Sequence, residues 1–214
     1  MPRSIAVRNA HPRLRIPRGA VAKTIALLDE RFEMLPGDLS HLSLPHPRLL
    51  KLKSAFGTRH SAFSSVCPPG ELSIIFLTDP AIAKIHADFM ADPTATDVIT
   101  FEGDPMTELA GEICVSADTA KRYVAALEQS DNVATLSAGR LKRGYGTPAL
   151  GRRQTPALQD AFATELTLYV IHGWLHLSGY DDLQPAKKRR MRAAEKRAMA
   201  LLQQAKAIPA FRLV

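Results

Sequence analysis

Thiols are scarce in this chain: among 214 residues only Cys67 and Cys114 carry one. Two cysteines so far apart exclude a disulfide framework and a Cys-x-x-Cys site, and in a reducing compartment both are expected as free thiols. Long apolar runs are also missing, since no window approaches the roughly 18 residues of a membrane-spanning helix. The first twenty residues, MPRSIAVRNAHPRLRIPRGA, contain no uninterrupted apolar stretch, which argues against a secretory signal. These absences predict a cytoplasmic protein with no membrane partner, and no nucleotide cofactor is expected.

What is present is ordinary in amount and uneven in placement. Apolar residues make up 46% and charged residues 23%, as in soluble globular domains, and the length suits one domain spanning 1–214 with a real core. The net charge is +7, and residues 187–197, KKRRMRAAEKR, hold seven cations against one Glu. Without that segment the chain would stand near neutrality. So concentrated a stripe attracts phosphate backbones through a salt-sensitive, sequence-independent affinity, although a solvated helix face would look the same.

Taken in order, IAVRNAHPRLRI at 5–16 alternates and is broken by Pro12, as an edge strand would be. Val21, Ile25, Leu28 and Phe32 fall at helical spacing within 17–35, and Pro36-Gly37 ends the pattern. Residues 36–70 keep no period and read as an insertion, whose His41, His46 and His60 are expected to be solvated. Leu72–Leu77 is a buried central strand, and Asp79-Pro80 opens a helix with Ile82, Ile85 and Phe89 inward and His86 a surface or packing histidine. A strand at 97–101 is expected parallel to the previous one, and a strand at 112–116 antiparallel to its neighbour, giving a mixed sheet. Ser116 or Asp118 caps a helix to about Gln129, with Tyr123, Ala126 and Leu127 inward. Residues 130–156 read as a second insertion, basic through Arg140, Lys142, Arg143, Arg152 and Arg153 and carrying Tyr145. A helix apolar almost all round follows from near Pro156 to Leu177, and Pro185 opens a last one with Met191, Ala194, Ala198, Leu201 and Ala205 inward. The fold class is therefore α+β, a mixed sheet of about four strands packed with about five helices, with its chemistry at the end of the buried helix.

That chemistry lies in HGWLHLSGYDD, residues 172–182. His172 and His176 are one helical turn apart on one face, close enough for one ion to take a ring nitrogen from each. Gly179 is suited to a left-handed cap that folds the chain back, bringing Asp181 or Asp182 toward the pair. The spacing His-x-x-x-His-x-x-Gly-x-x-Asp, with the acid at Asp182, is that of metzincin-type zinc ligands. The general-base Glu of those proteases is missing, because Gly173 stands in its place. Glu165, two turns before His172 on the same face, is a candidate base or outer partner.

This segment resembles the signature of the YbeY family of single-strand endoribonucleases and rRNA maturation factors, which reads His-Gly-x-Leu-His-Leu-x-Gly-Tyr-Asp-His. TDVITF at 96–101 and GEICVS at 111–116 resemble two further family segments, Thr-Asp-Val-Leu-Ser-Phe and Gly-Asp/Glu-Ile-x-Ile-Ser. The resemblance implies a mixed sheet with helices, zinc held by His172 and His176, and cleavage of single-stranded RNA in rRNA maturation and ribosome quality control. With Asp182 as the third ligand read from the spacing, one zinc ion per chain is expected, with His172 and Glu165 as the candidate catalytic residues. Partners would be rRNA precursors and the ribosome, with Lys187, Lys188, Arg189, Arg190 and Arg192 on the RNA. Two departures stand out: Asp182 occupies a position where the family usually has His, and IHADFMADPTA before the TDVITF strand has no Arg, a residue the family commonly carries there. The alternatives are a non-catalytic ribosome-associated assembly factor with a structural metal, and a metalloprotease.

Overall fold

The computed structural model describes residues 3–31, 70–103, 108–138 and 156–214. Among them a four-stranded mixed sheet is packed by five helices, an α+β fold. Its elements in chain order are β1 (Ser4–Asn9), β2 (Leu14–Arg15), α1 (Arg18–Glu30), β3 (Glu71–Leu77), α2 (Asp79–Met90), β4 (Val98–Glu102), β5 (Leu109–Ser116), α3 (Ala117–Ala138), α4 (Pro156–Leu177), α5 (Pro185–Gln204) and β6 (Arg212–Leu213). The main sheet runs β1-β3-β5-β4, with β1, β3 and β5 parallel and β4 antiparallel to β5; β2 and β6 form a separate ribbon.

The strand expected parallel to β3 is not its neighbour. β5 takes that place, and β4 lies at the edge, running the other way. Burial decides the order: β5 buries Ile113, Cys114 and Val115 on both faces, whereas β4 keeps only Ile99 fully covered. IAVRNAHPRLRI likewise supplies two strands in two sheets, with the Pro12 turn between them. β1 is an edge strand as expected; the two-residue pairing of β2 with the C-terminal end is too short to leave a periodic signal.

Helix faces differ from the expected ones in three places. Phe89 is exposed and meets Phe101 edge-on, and α2 is held by Ile82 and Ile85. α3 faces inward through Ala117, Ala120 and Val124, leaving Tyr123, Ala126 and Leu127 in solvent, and the helix continues nine residues past Gln129 into the stretch read as insertion. In α5 Leu202 is buried, Leu201 only partly, and Ala205 is exposed. Ser116 caps α3 as expected, accepting the Thr119 N–H at 3.1 Å, whereas α2 takes its cap from α3: Thr78 makes no side-chain cap bond and Asp118 accepts the Asp79 N–H at 3.1 Å. Phe32, His41, His46, His60, Cys67, Arg140, Lys142, Arg143, Tyr145, Arg152 and Arg153 lie outside the described residues.

α4 crosses the sheet face, enclosed by β4, β5, α3 and α5, and buries Phe162, Leu166, Val170, Ile171, Trp174 and Leu175. Trp174, the only tryptophan of the chain, donates from Nε1 to Asp29 on α1 at 3.0 Å. Cys114 lies in the smaller core under α2, where burial and the carboxylate of Glu112 push its thiol up to about 12. A thiol so rarely ionised is a poor nucleophile. Native protein exposed to iodoacetamide at neutral pH is expected to keep Cys114 unmodified in its tryptic peptide, and denatured protein to modify it. No helix among the described residues is long and apolar enough to cross a membrane.

Candidate metal centre

α4 ends in a Schellman motif. The Gly179 N–H donates to the His176 carbonyl at 2.9 Å, the Tyr180 N–H to the Leu175 carbonyl at 3.0 Å, and Gly179 takes φ +92°. That left-handed step turns the chain so that the Tyr180 carbonyl accepts from His176 Nδ1 at 3.2 Å and Asp182 comes to face the histidines. Asp181 turns away, accepting from Lys187 at 2.7 Å and from the Leu183 N–H at 2.8 Å. The ligand atoms of His172, His176 and Asp182 all lie within 4.8 Å of one another.

The two imidazoles stand edge to face, with ring centroids 4.6 Å apart and Nε2 atoms 3.0 Å apart. Their outer nitrogens are already committed. His172 Nδ1 meets Glu195 Oε1 at 2.6 Å, and His176 Nδ1 meets a carbonyl; both partners only accept, so both Nδ1 atoms carry hydrogen. In neutral rings this leaves two bare Nε2 lone pairs aimed at one another, an arrangement that calls for a proton or a cation between them. Burial opposes charge on His172, but the hydrogen bond and charge of Glu195, with Asp97 and Asp182, carry its pKa above the usual imidazole value. Burial and the neighbouring His172 hold His176 below it.

The residues fit a zinc ion. The donors are two imidazole nitrogens and a carboxylate oxygen, and tetrahedral zinc with bonds near 2.0–2.2 Å sets its ligands about 3.3 Å apart. Nε2–Nε2 at 3.0 Å and His176 Nε2–Asp182 Oδ1 at 3.9 Å bracket that spacing. Glu195 and the Tyr180 carbonyl are the outer partners that fix imidazole tautomer and ring orientation in zinc sites.

Glu165 is not in this cluster. It is half-buried, hydrogen-bonded to Tyr169 one turn on, and raised in pKa first by burial, against the Tyr169 bond, and then by the charges of Asp97 and Glu195. Lys188, Arg189, Arg190 and Arg192 are exposed on α5, and Lys187 is paired with Asp181. Sequence reasoning missed Glu195 and Asp97. A signal for Glu195 was there: it is the lone acid in a run of seven cations, one residue after the buried Ala194. Asp97 sits at the start of β4, accepts the Val98 N–H at 2.9 Å, and acts on His172 only through space, which no local pattern announces.

The absence of a Glu after His172 also has a structural cause. A Cβ at Gly173 would stand 2.6 Å from Ile113 Cγ2 and 3.1 Å from the methyls of Thr100 and Val98, so this side of α4 lies directly on β4 and β5. Any side chain there has to displace those methyls, which disfavours a protease-type base at this position.

Fold and site together define a small α+β protein whose buried helix ends in two imidazoles and a carboxylate able to hold a divalent ion. The profile of the family described as Endoribonuclease YbeY matches residues 48–136 and 149–203, and the chain belongs to the YbeY family. It is 29% identical over 143 residues to the endoribonuclease YbeY of Chlamydia pneumoniae, covering 64% of this chain and 73% of that protein. The Rhizobium meliloti protein of the same name is 27% identical over 161 residues, covering 72% and 77%. The solution structure of a Thermotoga maritima protein superposes with a TM-score of 0.40 at 15% identity, over 95% of this chain and 94% of that one, a likeness too loose to carry any argument.

Proposed function

We propose that the protein is a zinc-dependent endoribonuclease cutting single-stranded RNA, acting on rRNA precursors and on the ribosome in maturation and quality control in the cytoplasm. The observation that carries this reading is the meeting of His172, His176 and Asp182 within 4.8 Å, with the Nδ1 atoms of the two histidines held by Glu195 and the Tyr180 carbonyl. The names of its relatives support RNA as the substrate.

A zinc ion held by His172, His176 and Asp182 would supply Lewis-acid polarisation of a phosphoryl oxygen and a water of lowered pKa. The chain's own part is to hold such an ion and to manage charge and protons around it. Glu195 keeps the His172 ring in the tautomer that frees Nε2, and the Tyr180 carbonyl does so for His176. Glu165, its carboxyl raised by burial, is the group assigned to exchange a proton with the reacting oxygens, because a carboxyl tuned upward works nearer neutral pH. Asp182 contributes negative charge where the family usually has a neutral imidazole, which reduces the ion's power to acidify water.

Lys188, Arg189, Arg190 and Arg192 hold the strand by its phosphates. Binding is therefore steeply salt-dependent, with a log–log slope of about −0.7 for each phosphate neutralised on a single strand. Changing Arg189, Arg190 and Arg192 together to Gln is expected to make the slope shallower by about 2. Anisotropy titrations at several salt concentrations check this; an unchanged slope would place the RNA elsewhere.

The direct test is cleavage of a short single-stranded RNA by wild type, by chelator-treated protein with and without added zinc, and by Asp182→Ala. Wild type cuts, chelation stops cutting, zinc restores it, and Asp182→Ala binds RNA without cutting it. RNA left intact by zinc-loaded wild type removes the nuclease reading.

A further inference from the structure

Tyr123 lies on α3, which packs against α4, yet it is 48% exposed, and so is Leu127 one turn further on. Thr119, Arg122 and Tyr123 share one face of the helix, being three and four residues apart. That face is fastened to the start of α2 and to the turn that leads into β4. Thr119 Oγ1 donates to Asp79 Oδ1 at 2.8 Å and approaches the Thr96 carbonyl at 3.4 Å; Arg122 pairs with Asp79 and donates to Thr119 Oγ1 at 2.9 Å. Thr96 is followed by Asp97, whose charge reaches both Tyr169 and His172. Two residues on from Thr96, a methyl of Val98 lies 3.1 Å from where a Cβ on Gly173, the neighbour of His172, would stand. The helix face of Thr119, Arg122 and Tyr123 is thus joined through Thr96 to the start of β4, which packs on α4 at Gly173, beside His172.

The cations of α5 contact phosphates, and phosphates are common to single strands and duplexes. They give no reason for a single-strand preference. An exposed ring does, because only an unpaired, unstacked base can offer its face to a side chain. Arg122, its side chain 57% exposed, is held beside that ring with two of its donors engaged and others left for an oxygen of the backbone.

We propose that Arg122 and Tyr123 form a subsite for one unpaired nucleotide flanking the cleaved bond, Tyr123 stacking on the base and Arg122 holding its phosphate. The assignment rests on the RNA reading above and is tested apart from it, by binding. The probe is a fluorescein-labelled single-stranded RNA, used intact and as a series with one abasic position moved along it. Tyr123→Ala is expected to weaken binding of the intact strand about tenfold and Tyr123→Phe less than about twofold. Wild type is expected to lose the same factor at one abasic position, where Tyr123→Ala loses nothing more. Duplex binding is expected to be equal in all three proteins. Tyr123→Ala binding like wild type, or losing equally with wild type at every abasic position, overturns the subsite. Wild type that binds with this pattern and never cuts removes the nuclease reading and leaves the subsite standing.

Discussion

Replacing His176 with Ala is expected to yield a folded protein that binds RNA, retains no zinc after dialysis and cuts no RNA. The ring supplies one of three ligands, and its Nε2 lies 3.0 Å from that of His172. Truncation leaves one imidazole and a carboxylate, a set too small to hold zinc in place. A change in an outer partner alone costs about 10–100-fold in affinity, so loss of a direct ligand should cost more than about a hundredfold. Glu195→Gln supplies the graded comparison. It keeps the shape of the acceptor of the His172 Nδ1 hydrogen and removes its charge, and it should weaken zinc binding by about 10–100-fold. Acid should act in the same direction: a proton on His172, favoured by Glu195, competes with the ion, so zinc affinity falls as pH drops through the raised His172 pKa. Calorimetric zinc titrations at several pH values check all three. Undiminished affinity in His176→Ala would separate the histidines from the metal.

Gly173→Ala is the second change with a large expected effect, and here two terms oppose each other. Alanine in a helix gains up to about 1 kcal/mol over glycine. Against this, the added methyl would stand 2.6 Å from Ile113 Cγ2 and 3.1 Å from the γ methyls of Thr100 and Val98. All three neighbours are β-branched and stiff, and overpacking of this kind costs about 1–3 kcal/mol or more. The clash is expected to win, leaving the protein less stable by about 1–2 kcal/mol in urea unfolding followed by Trp174 fluorescence. Gly19→Ala on α1 is the control, since no atom lies within 4 Å of its Cβ position; it should be neutral or slightly stabilising. A Gly173→Ala protein as stable as the wild type would mean that α4 does not lie so close to the sheet.

Much of the site was legible in the sequence because it is local. His172, His176, Gly179 and Asp182 lie within one helix end and its cap, where spacing alone determines which groups can meet. The buried course of α4 was legible for a similar reason, since a helix apolar all round has to be enclosed. Glu195 and Asp97 were not, because each reaches the site through tertiary packing. The place of β5 between β3 and β4 follows from which strand can be buried on both faces, not from chain order. Tyr123 and Leu127 were assigned inward on hydrophobicity; small residues, Ala117 and Ala120, line the inner face of α3 instead.

The measurement closest to the central claim is elemental analysis of protein purified without chelators, wild type beside Asp182→Ala and His176→Ala. The geometry of His172, His176 and Asp182 predicts about one zinc per wild-type chain and close to none in either variant after dialysis. Wild type without metal, or variants that hold as much as wild type, would contradict it.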